Sequence, residues 1–200
     1  MVFVNETAPS GSEESMIIVG FGSKARQGKD TAAQAIVDYY TARNTLYLRH
    51  RLGAGVIWAQ RVGFADELKE VATKEYGMKE KESLLLQRIG MERRELDPAY
   101  WIHKLEERIN SKTDVLVIPD VRYWNEAEQI KYWGGYLVNV VRLGKDGKPY
   151  VDPERPANHP SEIELDTWNW DFKLVMSDGH QALLGELAIT LAEYLRGLQK

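Results

Sequence analysis

Two kinds of apolar pattern alternate along the chain, and their order predicts its elements. Met16-Ile17-Ile18-Val19-Gly20-Phe21 and Val115-Leu116-Val117-Ile118 are near-continuous apolar runs, as in strands buried on both faces of a parallel sheet. After the first run, Ala32, Ala33, Ile36, Val37 and Tyr40 recur at helical spacing, so the segment reads as strand, tight loop and a helix from Lys29 to Tyr40. After the second, Asn125 to Trp133 predicts a helix that stops at Gly134-Gly135, and Tyr136 to Val141 predicts another strand. Between these units, Asp66 to Tyr76 and Lys79 to Ile89 read as helices closed by Gly77 and Gly90. Asp97-Pro98 supplies a cap and first-turn proline for a third helix ending near Asn110. A strand near Phe172 to Met176 and a helix from about Gln181 to Leu198 complete the order.

Two stretches resist the pattern. From 41 to 57, Thr45 to Leu48 could form a strand, but Gly53 and Gly55 interrupt any period before Val56-Ile57-Trp58. Residues 144–160 carry Gly144, Gly147, Pro149, Pro153, Pro156 and Pro160 with little apolar content, which predicts a long loop of the kind that often serves as a lid. The whole alternation predicts a three-layer α/β fold around a parallel sheet, one domain spanning 16–200 behind a flexible leader at 1–15.

Composition narrows the function classes. No stretch approaches the ~20 apolar residues of a membrane span, and a net charge of -4 argues against broad nucleic-acid binding. The absence of cysteine excludes disulfides, thiolate metal sites and cysteine nucleophiles, and the four histidines show no HExxH spacing for zinc. Small-molecule partners, with a homodimer left open, and a cytoplasmic location are the expectations that remain.

The candidate chemistry begins at Gly22-Ser23-Lys24-Ala25-Arg26-Gln27-Gly28-Lys29-Asp30-Thr31, between a predicted strand and a helix N-terminus, where backbone amides can hold phosphate. The strict pattern GxxxxGK[ST] is missed at Ser23 and at Asp30. Ala25, Arg26, Gln27, Gly28, Lys29, Asp30 and Thr31 are nevertheless expected to bind ATP, with Lys29 neutralising the β- and γ-phosphates. Asp30, Thr31 and Asp120 are the expected contacts of Mg²⁺, Asp120 because it follows an apolar strand at its carboxyl end. The plainer alternatives are a glycine-containing turn with exposed cations, and an aspartate that caps a helix.

Arg122, Arg142 and Arg155 are spread over a strand end, a strand exit and the loop, from where folding could converge them on a transferring phosphoryl group. Gln87, Arg88, Glu92 and Arg94 combine amide, carboxylate and guanidinium groups suited to a base edge and an acceptor phosphate, the alternative being charge pairing on an exposed helix. Trp101 is a candidate for stacking on a base. Ser161 in His159-Pro160-Ser161-Glu162 lacks a G-x-S-x-G elbow and is read as a helix cap.

Taken together, the 23–31 loop, Phe64-Ala65-Asp66-Glu67-Leu68-Lys69, Leu85-Leu86-Gln87-Arg88-Ile89-Gly90-Met91-Glu92, Asp120-Val121-Arg122-Tyr123-Trp124-Asn125-Glu126-Ala127 and His159-Pro160-Ser161-Glu162 resemble the bacteriophage deoxynucleoside monophosphate kinases from about Met16 onwards. Family loops usually begin with Gly where Ser23 stands, and usually have Pro where Glu67 stands. The resemblance implies a P-loop fold of the nucleoside monophosphate kinase type, with a helical acceptor-binding lobe at about 60–110 and a lid at about 143–160. It also implies phosphoryl transfer from ATP to a deoxynucleoside monophosphate in the host cytoplasm, with Asp66, Lys69, Gln87, Arg88, Glu92, Arg94, Trp101 and Asp120 on the acceptor. The related animal-type phosphomevalonate kinases share the Gly-Lys-Asp loop, so phosphomevalonate is an alternative acceptor. A non-catalytic nucleotide-binding accessory protein is the other alternative.

Overall fold

The computed structural model describes residues 16–22, 24–50, 55–153 and 158–198, with backbone alone at 47–50. The expected leader at 1–15, Ser23 and Arg155 lie outside the described residues.

The two apolar runs that dominate the sequence lie side by side. β1 (Ile17–Gly22) pairs in parallel with β3 (Val115–Val121), Ile17 opposite Val115 and Gly20 opposite Ile118. On its other edge β1 pairs with β4 (Tyr136–Leu143), and β4 with β5 (Phe172–Ser177). A fifth strand, β2 (Ala59–Arg61), adds to β3, giving the all-parallel order β2-β3-β1-β4-β5. Three half-exposed residues carry no readable alternation, which is why the pattern misses β2.

Helices cover both faces, as an all-parallel sheet requires. α1 (Lys29–His50) and α7 (Gln181–Leu198) bury Ala32, Ile36, Tyr40, Leu184, Ala188 and Leu195 against Val19, Val117, Val138 and Val140. On the opposite face, α2 (Phe64–Tyr76), α3 (Ser83–Leu96), α4 (Tyr100–Glu106) and α5 (Trp124–Tyr132) pack around Ile18, Leu116, Ile118 and Leu137. The expected α/β class is borne out at this level: a central parallel sheet flanked by helices.

Several boundaries differ from the pattern. α1 does not stop at Tyr40, and Thr45 to Leu48 is helix rather than strand. The extension is held by polar ties that hydrophobic spacing cannot reveal. The Asn44 side chain accepts from the Ile57 amide (3.0 Å) and donates to the Ile57 carbonyl (2.7 Å), and Arg43 meets Glu193 of α7 at 3.3 Å. α3 starts at Ser83 rather than Lys79 and runs through Gly90, whose carbonyl accepts from the Trp101 indole (3.1 Å). α4 is shorter than expected, ending at Glu106, and the chain beyond it to Ile109 passes into tighter turns.

The 144–160 segment turns back on β4 at its start, Gly144 donating to Lys148 (2.8 Å) and Tyr150 to Arg142 (2.7 Å). It re-enters regular structure at α6 (Pro160–Ile163). The cap of α6 is His159, whose Nδ1 accepts from the Ser161 amide (3.2 Å); Ser161 itself lies inside the helix.

Candidate functional site

The carboxyl ends of β1, β3 and β4 open into one cleft of about 510 Å³, the usual ligand position in open α/β sheets. At its floor the chain leaves β1, turns through residues 24–28 and enters α1 at Lys29. Two left-handed residues make the turn, Arg26 (φ 55°) and Gly28 (φ 95°). A Cβ on Gly28 would also stand 2.8 Å from a methyl of Leu184, so both conformation and space favour glycine there. Lys29 is 5% exposed, and its ammonium curls back to donate to the Lys24 carbonyl. Burial, then the neighbouring Arg122, lowers its pKa to about 7, against opposing pulls from Glu162, Asp120 and Asp30.

Gln27 is turned away from the cleft's charge. Its amide nitrogen donates to the Tyr150 carbonyl (2.8 Å) and its oxygen accepts from the Arg142 amide (2.6 Å), tying the loop to the end of β4 and the turn beyond. Of the expected ATP contacts, Gln27 therefore offers the cleft its backbone rather than its side chain. Beside it, Arg26 meets buried Asp152 at 3.1 Å, and the Arg142 guanidinium lies 3.7 Å from the Tyr150 ring centroid.

Asp120 lies within the last residues of β3 rather than after it. Its carboxylate accepts from the amides of Phe64 (3.0 Å) and Ala65 (2.6 Å), so it caps the start of α2. Burial pushes its pKa up from the usual carboxylate range, although those two amides pull it down. Gly63 makes the approach feasible: a Cβ there would stand 3.0 Å from an Asp120 oxygen. The capping alternative thus describes what Asp120 touches, while the residue still lines the cleft.

Asp30 and Asp66 are bridged by Arg61, at 2.7 and 2.8 Å, and Lys69 adds a longer contact to Asp66 (3.7 Å). Arg122 donates to Glu162 Oε1 (2.6 Å) and to the Ser161 carbonyl (3.0 Å), while Glu162 Oε2 accepts from the Ala25 amide (2.9 Å).

The helical wall is more open. Lys69, Gln87 and Arg94 line the cleft with Leu68, Leu86 and Tyr123. Arg94 lies over the Tyr123 ring (3.7 Å) and bonds buried Glu126 (2.7 Å), whose other oxygen accepts from the Arg122 and Tyr123 amides. Three expected acceptor residues do not line the cleft: Asp66, held by Arg61, and Arg88 and Glu92, which pair with each other on the exposed side of α3 (3.6 Å). Trp101 corrects a fourth expectation. It is 2% exposed, packed edge-on against Tyr100 in the core, and presents no face for stacking.

Eight lysines and arginines line the cleft against three aspartates, in a chain whose net charge is -4. The positive field is local and belongs to this cavity. Arg61, Tyr123 and Glu162 belong to this site, but the sequence reading did not choose them. Arg61 sits in the strand that periodicity could not see, and Glu162 was visible only as part of a motif.

Among the described residues there is no group of three or more His, Cys, Asp or Glu side chains able to hold a metal ion, and no helix long and apolar enough to cross a membrane. Neither the protein-family models nor the curated proteins contain a match to the chain.

Proposed function

We propose that the protein is a P-loop kinase of the nucleoside monophosphate kinase type, transferring the γ-phosphoryl group of ATP to a deoxynucleoside monophosphate. The observation that carries the reading is the inverted charge of the cleft: its cations surround a helix N-terminus and a glycine turn, as two phosphorylated substrates would require.

In this reading Lys29 and the backbone of residues 25–31 bind the donor phosphates. A compact cation at the base of the loop suits the charge that spreads over the oxygens of a loose transition state. Arg122 and Arg142 approach from the ends of β3 and β4. Lys69, Gln87 and Arg94 orient the acceptor from the helical wall. An acceptor phosphate oxygen attacks the γ-phosphorus, the bond to the β-phosphate oxygen breaks, and ADP and a nucleoside diphosphate leave. The chain forms no covalent bond to either.

The residues suit a Mg²⁺ that arrives with the phosphates rather than one held in a protein cage, since such ions use one or two carboxylates plus substrate oxygens. Asp30, exposed at the start of α1, and the neighbouring Thr31 hydroxyl would hold it, with the two amide-bonded oxygens of Asp120 nearby. The ion would offset charge on the β- and γ-phosphates.

Burial of Trp101 favours a second reading, because it removes the expected stacking face for a base. The acceptor is then a phosphomonoester without a base, such as phosphomevalonate.

The test is ADP production from ATP and Mg²⁺ with each of the four common deoxynucleoside monophosphates and with phosphomevalonate. Turnover is expected with at least one nucleotide, and Lys29→Ala should lower kcat by about 10³-fold or more while the unfolding transition is kept. No turnover with any acceptor, or a Lys29→Ala protein as active as the wild type, would overturn the proposal. Turnover with phosphomevalonate alone would select the second reading.

A further inference from the structure

Glu162 is 8% exposed and stands behind the cleft rather than on its wall, yet two residues that do line the cleft, Ala25 and Arg122, are both bonded to it. Each carboxylate oxygen takes a different donor: Oε2 the amide at the front of the phosphate loop, Oε1 the Arg122 guanidinium. The short helix that carries Glu162 is followed by residues that are fixed on several sides. Glu164 accepts from the Trp124 amide (2.7 Å), Leu165 is buried in the core, and Asp166 meets Lys24 at 3.2 Å.

Two further features bear on what this joint does. Lys29 and Arg122 are close enough for each charge to disfavour the other, and Glu162 supplies the opposite charge beside both. Behind the joint lies a second cavity of about 260 Å³, lined by Arg122 and Glu162 along with Asn139, Tyr150 and Trp170. Arg122 thus borders both cavities, and its bond to the Glu162 carboxylate fixes where the guanidinium sits between them.

We infer that Glu162 is a positioning residue: its carboxylate joins Arg122 to Ala25 and thereby sets the spacing between the guanidinium and the phosphate loop. The inference rests on the phosphoryl-transfer reading for its kinetic consequence, though the joint itself does not. Glu162 acts through Arg122 and touches neither substrate. A shift of about 1 Å in a positioned group can cost about 10²-fold in rate.

The experiment compares Glu162→Ala, Glu162→Gln, Arg122→Ala and the double variant Glu162→Ala/Arg122→Ala, using ADP production and hydrogen exchange at the Ala25 amide. Glu162→Ala should lower kcat by about 10²-fold and speed exchange at Ala25. Glu162→Gln has one carbonyl oxygen for two donors, keeps one of the two bonds, and should lose about tenfold. In the Arg122→Ala background, Glu162→Ala should cost no further kcat, because the two residues act as one unit. Wild-type kcat in both Glu162 variants, or fully additive losses in the double variant, would overturn the inference. Should Glu162→Ala fail to fold, wild-type kcat in Glu162→Gln alone would overturn it. If the wild-type protein turned over no acceptor, the kinase reading would fall by itself. Unchanged Ala25 exchange in a folded Glu162→Ala protein would then separately remove the joint.

Discussion

The two walls of the cleft are built differently. On the loop side, the side chains of Gln27, Lys29, Arg122 and Glu162 are buried or nearly so, and each is bonded to backbone or to an opposite charge. On the α2–α3 side, Lys69 is about half exposed and meets Asp66 at 3.7 Å, and Arg88 and Glu92 face outward; Arg94, bonded to buried Glu126, is this wall's exception. Preorganised charge serves a group that is the same in every turnover, because it avoids reorganisation at the moment of reaction. Adjustable charge serves a partner whose shape varies. On the proposed kinase reading, the contrast teaches that the donor side would be defined by the fold, whereas the acceptor side would be defined largely by side chains such as Lys69 and Gln87 that substitution can alter without disturbing it.

The largest effect that would sharpen this contrast lies beneath the helical wall. Trp101→Ala should cost about 3–5 kcal/mol of stability in denaturant unfolding, since it removes a buried indole and leaves a cavity between α3 and α4. Because the side chain does not reach the cleft, acceptor KM measured well below the new transition should stay near wild type. A change confined to KM, with stability kept, would restore a substrate role.

Next in size, Lys69→Ala and Gln87→Ala should each raise acceptor KM by about tenfold and leave donor KM and the unfolding midpoint nearly unchanged. A fall in kcat alone would break the division between the walls.

A smaller effect is the proton linkage of Lys29. With its pKa lowered to about 7 in the folded protein, Lys29 is mostly neutral at about pH 8, and phosphate in the cleft would raise it again. Donor binding at that pH should therefore take up most of a proton, read by calorimetry in buffers of different ionisation enthalpy. Lys29→Met should abolish the uptake. The same shift has a stability consequence: between about pH 7 and the ordinary lysine range the unfolded chain binds the extra proton, so this residue's contribution makes stability rise with pH across that window. The smallest effect is at Glu92, exposed and paired with Arg88, where Glu92→Ala should change stability by less than about 0.5 kcal/mol and kinetics less than twofold.

Legibility in the sequence followed the same physical divide. β1, β3 and α7 could be read because β1 and β3 bury apolar residues on both faces and α7 on one, and burial writes itself into spacing. β2 could not, because its three half-exposed residues show no alternation, and neither could the second half of α1, which Asn44 and Arg43 hold through hydrogen bonds and charge that follow no period. At the site, the glycine turn and Lys29 stood out, since their roles are local to a few consecutive residues. The amide bridge of Gln27, the cap made by Asp120 and the Glu162 joint pair residues between 40 and 137 positions apart, and only the folded chain brings them together. Gln87, Arg88 and Glu92 show the limit from the other side: a shared stretch of α3 put them together on paper, but helical rotation sends the latter two to the far face.

The Gln27 bridge also bears on how freely this sequence can drift. Every partner of its side chain is a backbone atom: the carbonyls of Ala25 and Tyr150 and the amide of Arg142. Positions 142 and 150 can therefore change identity without breaking the bridge, provided neither change is a proline at 142, whereas position 27 needs a side chain with a donor and an acceptor at glutamine's reach. The constraint that this joint places on the sequence is concentrated in a single codon, and whatever limits positions 142 and 150 comes from other roles of their side chains.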